Sequence, residues 1–135
     1  MTNYLLDTNH ASPLVTRDHP LRNQVSNALQ RGDTFALAAA NLAEVLYGIA
    51  ALPRAAQNKL EWDWLRSSLW VYAIEEQDAV ASAERRIHLR RRGRQIGAID
   101  AMLAAIALRY GLTLLTTDSD FAVVPGLPQE NWLKA

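Results

Sequence analysis

The residues best suited to chemistry in this chain are acids that stand at the ends of predicted strands and near the starts of predicted helices. They are Asp7, Glu44, Asp100, Asp118 and Asp120. Two carboxylates about 4 Å apart repel each other by roughly 4 kcal/mol at an effective dielectric constant of about 20. Several such acids can therefore converge and stay ionised only around a cation. Carboxylates and water suit Mg²⁺ and Mn²⁺, and such an ion can activate water to attack a phosphodiester bond.

The acids outside the predicted helices also have an ordinary structural explanation. Asp7 precedes Thr8 and Asn9, and all three residue types cap helices well. Asp118 and Asp120 lie in a polar loop, where aspartates commonly stabilise turns. Two acids one residue apart in an extended loop need not face the same way, so the sequence allows that only one of them reaches a site.

The two acids on predicted helices differ in how strongly the sequence supports a site. Asp100 begins a helix that is apolar almost all round, so its carboxylate needs a partner unless it only complements the helix dipole. Glu44 fits a capping box with Asn41, and capping or solvation is the favoured interpretation for this helix in isolation. Glu44 also projects nearly opposite the apolar stripe of its own helix. That stripe consists of Leu42, Val45, Leu46 and Ile49.

The predicted strands and helices place several of these acids at one edge of a sheet. We predict strands at residues 4–6, 34–38, 70–74 and 112–115, and helices at about 21–31, 41–51, 55–69, 75–92 and 99–110. Short apolar strands separated by helices indicate an α/β fold with a mainly parallel sheet. Sites in such folds collect beyond the carboxyl ends of the strands. If the strands before Asp7 and Asp118 are parallel neighbours, these acids share one edge.

The composition limits the class of protein. The chain has 135 residues, and 50% of them are hydrophobic, so we expect one domain over residues 1–135 with one core. The absence of cysteine excludes disulfides, cysteine-ligated zinc and thiol catalysis. The N-terminus lacks a secretory signal pattern and the longest apolar run is too short for a membrane span. We therefore expect a soluble, cytoplasmic protein without a membrane partner.

Four short motifs in series resemble those of PIN domains of the VapC toxin type. They are residues 5–9 (LLDTN), 41–45 (NLAEV), 93–101 (GRQIGAIDA) and 114–121 (LLTTDSDF). Residues 126–132 resemble the usual C-terminal end of that family, so the match covers essentially the whole chain. The resemblance implies a PIN-like three-layer α/β/α sandwich, a Mg²⁺ or Mn²⁺ centre and endonucleolytic cleavage of RNA. It also implies inhibition by a cognate antitoxin and assembly as a homodimer.

The resemblance also implies roles for individual residues. By position, the catalytic and metal-site acids are Asp7, Glu44, Asp100 and Asp118. This motif context outweighs the capping interpretation of Glu44. Residues with possible supporting roles are Thr8, Asn9, Thr116 and Asp120. Whether Asp118 or Asp120 carries the fourth acidic position stays open at this point.

An arginine-rich segment precedes the third acidic motif. The formal net charge is zero, so no global field recruits nucleic acid. Six arginines nevertheless lie between Arg85 and Arg94. They could form a solvated helix surface, contact an RNA backbone, or receive acids of an antitoxin. Arg94 is the best candidate for a phosphate contact, and Arg86 and Arg90 share one helical face.

Other classes of protein fit the residues less well. A haloacid-dehalogenase-type phosphatase would need a second aspartate where this chain has Asn9, and a receiver domain would need a lysine late in the sheet, which Lys59 and Lys134 do not provide. A PIN-like module that binds RNA or a partner without cutting, and a housekeeping RNA-processing nuclease, remain alternatives. The histidines at positions 10, 19 and 88 are predicted to be non-catalytic. The tryptophans at positions 62, 64, 70 and 132 are predicted to form core or dimer contacts.

Overall fold

The computed structural model describes residues 1–133, so Lys134 lies outside the described residues. Its strands are β1 Asn3–Leu6, β2 Thr34–Ala38, β3 Leu69–Tyr72, β4 Thr113–Leu115 and β5 Gln129–Glu130. These strands form one sheet in the order β3-β2-β1-β4-β5, and every neighbouring pair is parallel. β1 therefore lies at the centre of the sheet, between β2 and β4.

Helices cover both faces of this sheet. They are α1 Thr8–Ala11, α2 Pro20–Gln30, α3 Ala39–Ala51, α4 Ala55–Arg66, α5 Glu76–Arg90 and α6 Ala98–Tyr110. Two short 3₁₀ turns span Ser12–Val15 and Ser119–Val123. None of the helices within residues 1–133 has the length and apolar character needed to cross a membrane.

Alternation along β1 divides the core into two layers. Successive side chains of a strand point to opposite faces of its sheet. Tyr4 and Leu6 pack into the cluster that includes Val45 and Trp62, whereas Leu5 packs into the cluster that includes Ala104. The first cluster lies under α2, α3 and α4, and the second lies under α5 and α6. This arrangement confirms the predicted three-layer α/β/α sandwich, with a sheet that is parallel throughout.

Ion pairs join α6 to α5. Asp78 is buried and accepts hydrogen bonds from Arg109 Nε at 2.9 Å and from Arg109 Nη2 at 2.8 Å. Arg109 Nη1 also donates to Glu75 Oε2 at 2.9 Å. Glu75 and Asp78 form the capping box at the start of α5. One arginine therefore joins the end of α6 to the start of α5.

Several predicted boundaries differ from the structure. Residue 69 was predicted to end the fourth helix, but α4 ends at Arg66 and Leu69 begins β3, where it pairs with Phe35. An apolar residue at helical spacing fits either element, because periodicity alone does not separate a short buried strand from a helix. The other predicted elements are correct to within two residues, whereas α1 and β5 have no counterpart in the prediction.

Two of the tryptophans pack in or against the core, and the other two are exposed. Trp62 is buried in the core, and Trp132 packs edge-on against Tyr4 with ring centroids 4.9 Å apart. The core prediction is therefore correct for these two. Trp64 and Trp70 are about two-thirds exposed, at 67% and 68%, so neither belongs to the core of this protomer. A dimer contact for these two stays a prediction.

Candidate metal centre

The site lies where the two central strands β1 and β4 end. Leu6 pairs with Leu115 in the register, so Asp7 and Thr116 leave the sheet side by side. Asp7 N donates to Leu115 O at 2.9 Å, which continues the parallel pairing by one step. The expectation that the acids after these strands share one edge of the sheet is confirmed by this geometry.

The Asp7 carboxylate is held by donors from four directions. Its Oδ1 accepts from Thr8 N at 2.9 Å and from Asn41 Nδ2 at 3.3 Å. Its Oδ2 accepts from Thr116 Oγ1 at 2.7 Å and from Asn9 Nδ2 at 3.2 Å. Asp7 is also the N-cap of α1, so the capping explanation of this residue is correct as well. Asp7 as a whole is only 8% exposed.

Glu44 reaches the site, and the capping-box interpretation of this residue is wrong. α3 begins at Ala39, two residues before Asn41, and its N-cap makes no side-chain hydrogen bond. Asn41 therefore falls inside the helix on its buried face, where Nδ2 donates to Asp7 Oδ1 and, at 3.2 Å, to Thr8 Oγ1. Thr8 Oγ1 in turn donates to Glu44 Oε2 at 2.8 Å. A chain of hydrogen bonds thus joins Glu44 to the Asp7 carboxylate.

Asn41 is the site residue that sequence reasoning assigned only to capping. The predicted apolar stripe of α3 included Leu46, which is 39% exposed in the structure, whereas Asn41 is 2% exposed. The buried face of α3 consists of Asn41, Val45 and Ile49, which recur every four residues. A polar residue at that spacing signals a buried polar contact. Asn41 Oδ1 is buried and has no hydrogen-bond partner among the described residues.

Three further acids meet beside the end of β4. Carboxylate oxygens of Asp100, Asp118 and Asp120 all lie within 4.8 Å of one another. Asp118 caps the 3₁₀ turn through its Oδ1, which accepts from Asp120 N at 2.9 Å, and its own N donates to Thr116 Oγ1 at 3.0 Å. The loop is therefore a tight turn rather than an extended segment, and both of its acids reach the cluster.

The electrostatics of the cluster follow from this convergence. Burial, and after it the charges of four neighbouring acids, together raise the pKa of Asp100 from its usual value to about 6. In decreasing order of effect, these neighbours are Asp7, Asp118, Asp120 and Glu44. None of the five acids forms an ion pair with a lysine or arginine within residues 1–133. A set of carboxylate oxygens with uncompensated charge fits a hard divalent cation.

His10 supports the site from behind without facing it. Its side chain is fully buried, with Nδ1 at 2.7 Å from Asn9 Oδ1 and Nε2 accepting from Trp132 N at 3.0 Å. Burial lowers the pKa of this imidazole to about 4, so the ring is neutral at physiological pH. Asn9 Oδ1 also accepts from Thr117 N at 3.2 Å. His10 therefore ties the C-terminal segment to a residue that holds Asp7.

Three arginines of the arginine-rich segment lie next to the acids. Arg86, Arg90 and Arg94 line an open cavity of about 710 Å³, and Asp120 contributes to the same wall. α5 ends at Arg90, so Arg94 belongs to the loop before α6 rather than to the helix. The basic surface and the acidic cluster thus share a boundary at Asp120.

The fold and the acids define an α/β/α protein with a cluster of carboxylates beyond the carboxyl ends of its central strands. The sequence matches the PIN domain over residues 4–127, and the chain belongs to this family. It is 28% identical to Ribonuclease VapC2 of Rickettsia felis, over 97% of this chain and 98% of that protein. It is 26% identical to the tRNA(fMet)-specific endonuclease VapC of Salmonella typhimurium, over 98% of this chain and 99% of that protein.

Solved structures of toxin–antitoxin complexes share the fold. VapBC2 from Rickettsia felis, bound to a DNA fragment from its promoter, contains a chain with a TM-score of 0.81 and 26% identity, covering 97% of this chain and 99% of that one. DNA-bound VapBC from Salmonella typhimurium gives a TM-score of 0.79 at 25% identity, covering 98% of this chain and 99% of that one. The resemblance to VapC-type PIN domains is confirmed by these matches.

Proposed function

We propose that this chain is a metal-dependent endoribonuclease and the toxin half of a toxin–antitoxin pair, with residues 1–135 forming one PIN domain. The observation that carries the proposal is the cluster of Asp100, Asp118 and Asp120, whose carboxylate oxygens lie within 4.8 Å of one another. Asp7 and Glu44 are near enough for their charges to raise the pKa of Asp100, and none of the five acids pairs with a lysine or arginine among the described residues. The names of the two relatives, a ribonuclease and an endonuclease, support the reaction class.

Asp7, Glu44, Asp100 and Asp118 would hold the ion, with Asp120 beside them. The donor set contains carboxylate oxygens and no nitrogen or sulfur ligand, which suits Mg²⁺ first and Mn²⁺ second. When bound, such an ion would supply charge neutralisation and activation of water for hydrolysis of a phosphodiester bond.

The residues around the acids orient them. Thr116 Oγ1 donates to Asp7 and accepts from Asp118 N, so one hydroxyl aligns an acid from β1 with an acid after β4. Thr8 links Glu44 to Asn41 in the same way. Such supporting contacts to metal ligands typically change metal affinity or activity by about 10- to 100-fold. We therefore assign Thr8, Asn41 and Thr116 positioning roles rather than catalytic ones.

The proposed partner is an antitoxin protein. Both solved complexes described above are VapBC assemblies, and they support an antitoxin for this chain by their similarity over almost its full length. RNA as the substrate, assembly as a homodimer and a cytoplasmic location remain part of the proposal. A toxin predicts growth arrest on expression that the product of an adjacent gene relieves, whereas a housekeeping nuclease predicts neither effect.

A cleavage assay with matched aspartate variants tests the enzymatic part. The purified protein should cleave RNA in the presence of Mg²⁺, and cleavage should be lost when EDTA removes the metal. Asp7→Asn and Asp100→Asn should each lower the rate by at least about 100-fold, since each removes a charged oxygen ligand. Asp18→Asn is the control, because Asp18 is exposed and lies outside the acidic cluster. RNA binding without cleavage, equal in all four proteins, would instead indicate a non-cutting PIN-like module.

A further inference from the structure

Six arginines without a carboxylate partner among the described residues lie in one short segment of this chain, beside the acidic cluster. The described arginines that form ion pairs with carboxylates are Arg17, Arg22, Arg31 and Arg109. In contrast, none of the six arginines between Arg85 and Arg94 pairs with a carboxylate within residues 1–133. The chain thus places a block of uncompensated positive charge directly before the helix that carries Asp100.

Only part of this block faces the cavity beside the acids. Arg86 and Arg90 are four residues apart on α5, which is about 6 Å along a helix axis. Arg94, in the loop after α5, lines the same cavity. Arg85 and Arg91 belong to the same segment but do not line this cavity. Only Arg86, Arg90 and Arg94 of this basic segment therefore line the cavity.

We propose that Arg86, Arg90 and Arg94 form a track for the backbone of a single RNA strand, which holds the phosphates that flank the one being cut. This inference rests on the proposed function and deepens it by naming how the substrate is held. A cluster of acids repels the anionic backbone, so a strand that reaches it needs cationic contacts on the adjacent wall. Guanidinium groups bind phosphate oxygens in a bidentate manner.

The position of Asp120 connects the track to the acidic cluster. Its carboxylate lies within 4.8 Å of oxygens of Asp100 and Asp118, and the residue also lines the arginine cavity. The arginine cavity and the acidic cluster are therefore adjacent, because Asp120 belongs to both. The distance of about 6 Å between Arg86 and Arg90 along α5 is comparable with the distance between successive phosphates of an extended RNA strand. Backbone contacts of this kind fix register and orientation without reading the base sequence.

Binding can be measured separately from cleavage. The probe is a fluorescent, mixed-sequence single-stranded RNA about 12 nucleotides long, and every protein carries Asp100→Asn and is kept in EDTA. The double variant R86Q/R90Q is compared with R85Q/R91Q, which removes the same charge from the same segment outside the cavity. Arg94→Gln is tested alone. Circular dichroism establishes that each variant is folded.

The track predicts a difference between the two double variants. R86Q/R90Q should weaken RNA binding about tenfold and lower the salt slope, d log K/d log[salt], by about 1.4 in magnitude, since each phosphate contact on a single strand contributes about 0.7. R85Q/R91Q should weaken binding clearly less than R86Q/R90Q does, because Arg85 and Arg91 do not line the cavity. Equal losses in both doubles would mean that only net charge matters, and unchanged binding in R86Q/R90Q would assign the cavity to another partner. Either result overturns the track.

This experiment and the cleavage assay fail independently. If RNA binding does not depend on Arg86 and Arg90 but Mg²⁺-dependent cleavage is observed, the track is refuted and the proposed nuclease activity stands. Arginine-dependent RNA binding by a protein that never cuts would remove the nuclease and leave the track.

Discussion

Thr116 offers the sharpest test of how the acidic cluster is held together, because one hydroxyl contacts two acid-bearing segments. Its Oγ1 donates to Asp7 Oδ2 at 2.7 Å and accepts from Asp118 N at 3.0 Å, and the residue is 5% exposed. Thr116→Val keeps the shape of the side chain and removes both contacts. Asp7 Oδ2 would then retain only the longer hydrogen bond from Asn9 Nδ2 at 3.2 Å.

The size of the effect follows from these contacts. A hydrogen bond to a charged group contributes about 1.5–3 kcal/mol, and a factor of ten in affinity corresponds to about 1.4 kcal/mol. Thr116→Val should therefore weaken Mn²⁺ binding by roughly 10- to 100-fold, in the range found for groups that orient metal ligands. The cleavage rate at limiting metal should fall by a similar factor and recover in part at high Mn²⁺.

Electron paramagnetic resonance of free Mn²⁺ measures this affinity directly. Thr116→Ser retains the hydroxyl and should bind Mn²⁺ within a few-fold of the unmodified protein. Thr117→Val is the neighbouring control, since Thr117 is exposed and contributes only its backbone N–H to Asn9. A folded Thr116→Val protein with unchanged Mn²⁺ affinity would refute the positioning role.

Two further predictions concern stability as pH changes in metal-free protein. The pKa of Asp100 is raised to about 6, so the folded state binds more protons than the unfolded state, and this acid destabilises the fold by about 2 kcal/mol as pH rises from roughly 4 to 7. In urea unfolding with EDTA present, Asp100→Asn should remove this fall in the free energy of unfolding between pH 4 and 7. An equal dependence on pH in both proteins would contradict the prediction. The pKa of His10 is lowered to about 4, so the unfolded state binds more protons, and stability falls by about 2 kcal/mol from pH 7 to 5. His10→Gln should reduce this decrease in the free energy of unfolding between pH 7 and 5. Nuclear magnetic resonance titration of the His10 ring should give a midpoint well below pH 6.

Much of the fold could be predicted because its signals are local. The helix from residue 98 to Tyr110 stops where Gly111 adopts a left-handed φ of 67°, a conformation that favours glycine. The central strands were recognised from short apolar runs. β5 was missed because Gln129–Glu130 has no strand pattern of its own, and pairing with β4 alone defines it. Long-range pairing of this kind leaves no local signal.

The site was predictable as a set of acids but not in its supporting contacts. Asp7 and Asp118 were placed correctly at neighbouring strand ends, because a parallel sheet aligns its carboxyl ends. The role of Asn41 depended on where α3 begins, and an error of two residues turned a buried hydrogen-bond donor into a helix cap. That the six arginines between Arg85 and Arg94 have no carboxylate partner among the described residues depends on side-chain contacts, which one sequence does not reveal.

Anomalous X-ray scattering from crystals grown or soaked in Mn²⁺ tests the central claim most directly. The account predicts a manganese peak coordinated by carboxylate oxygens of Asp7, Asp100 and Asp118, and loss of that peak in Asp100→Asn crystals under the same conditions. A well-ordered acidic cluster that shows no manganese peak at saturating Mn²⁺ would contradict it.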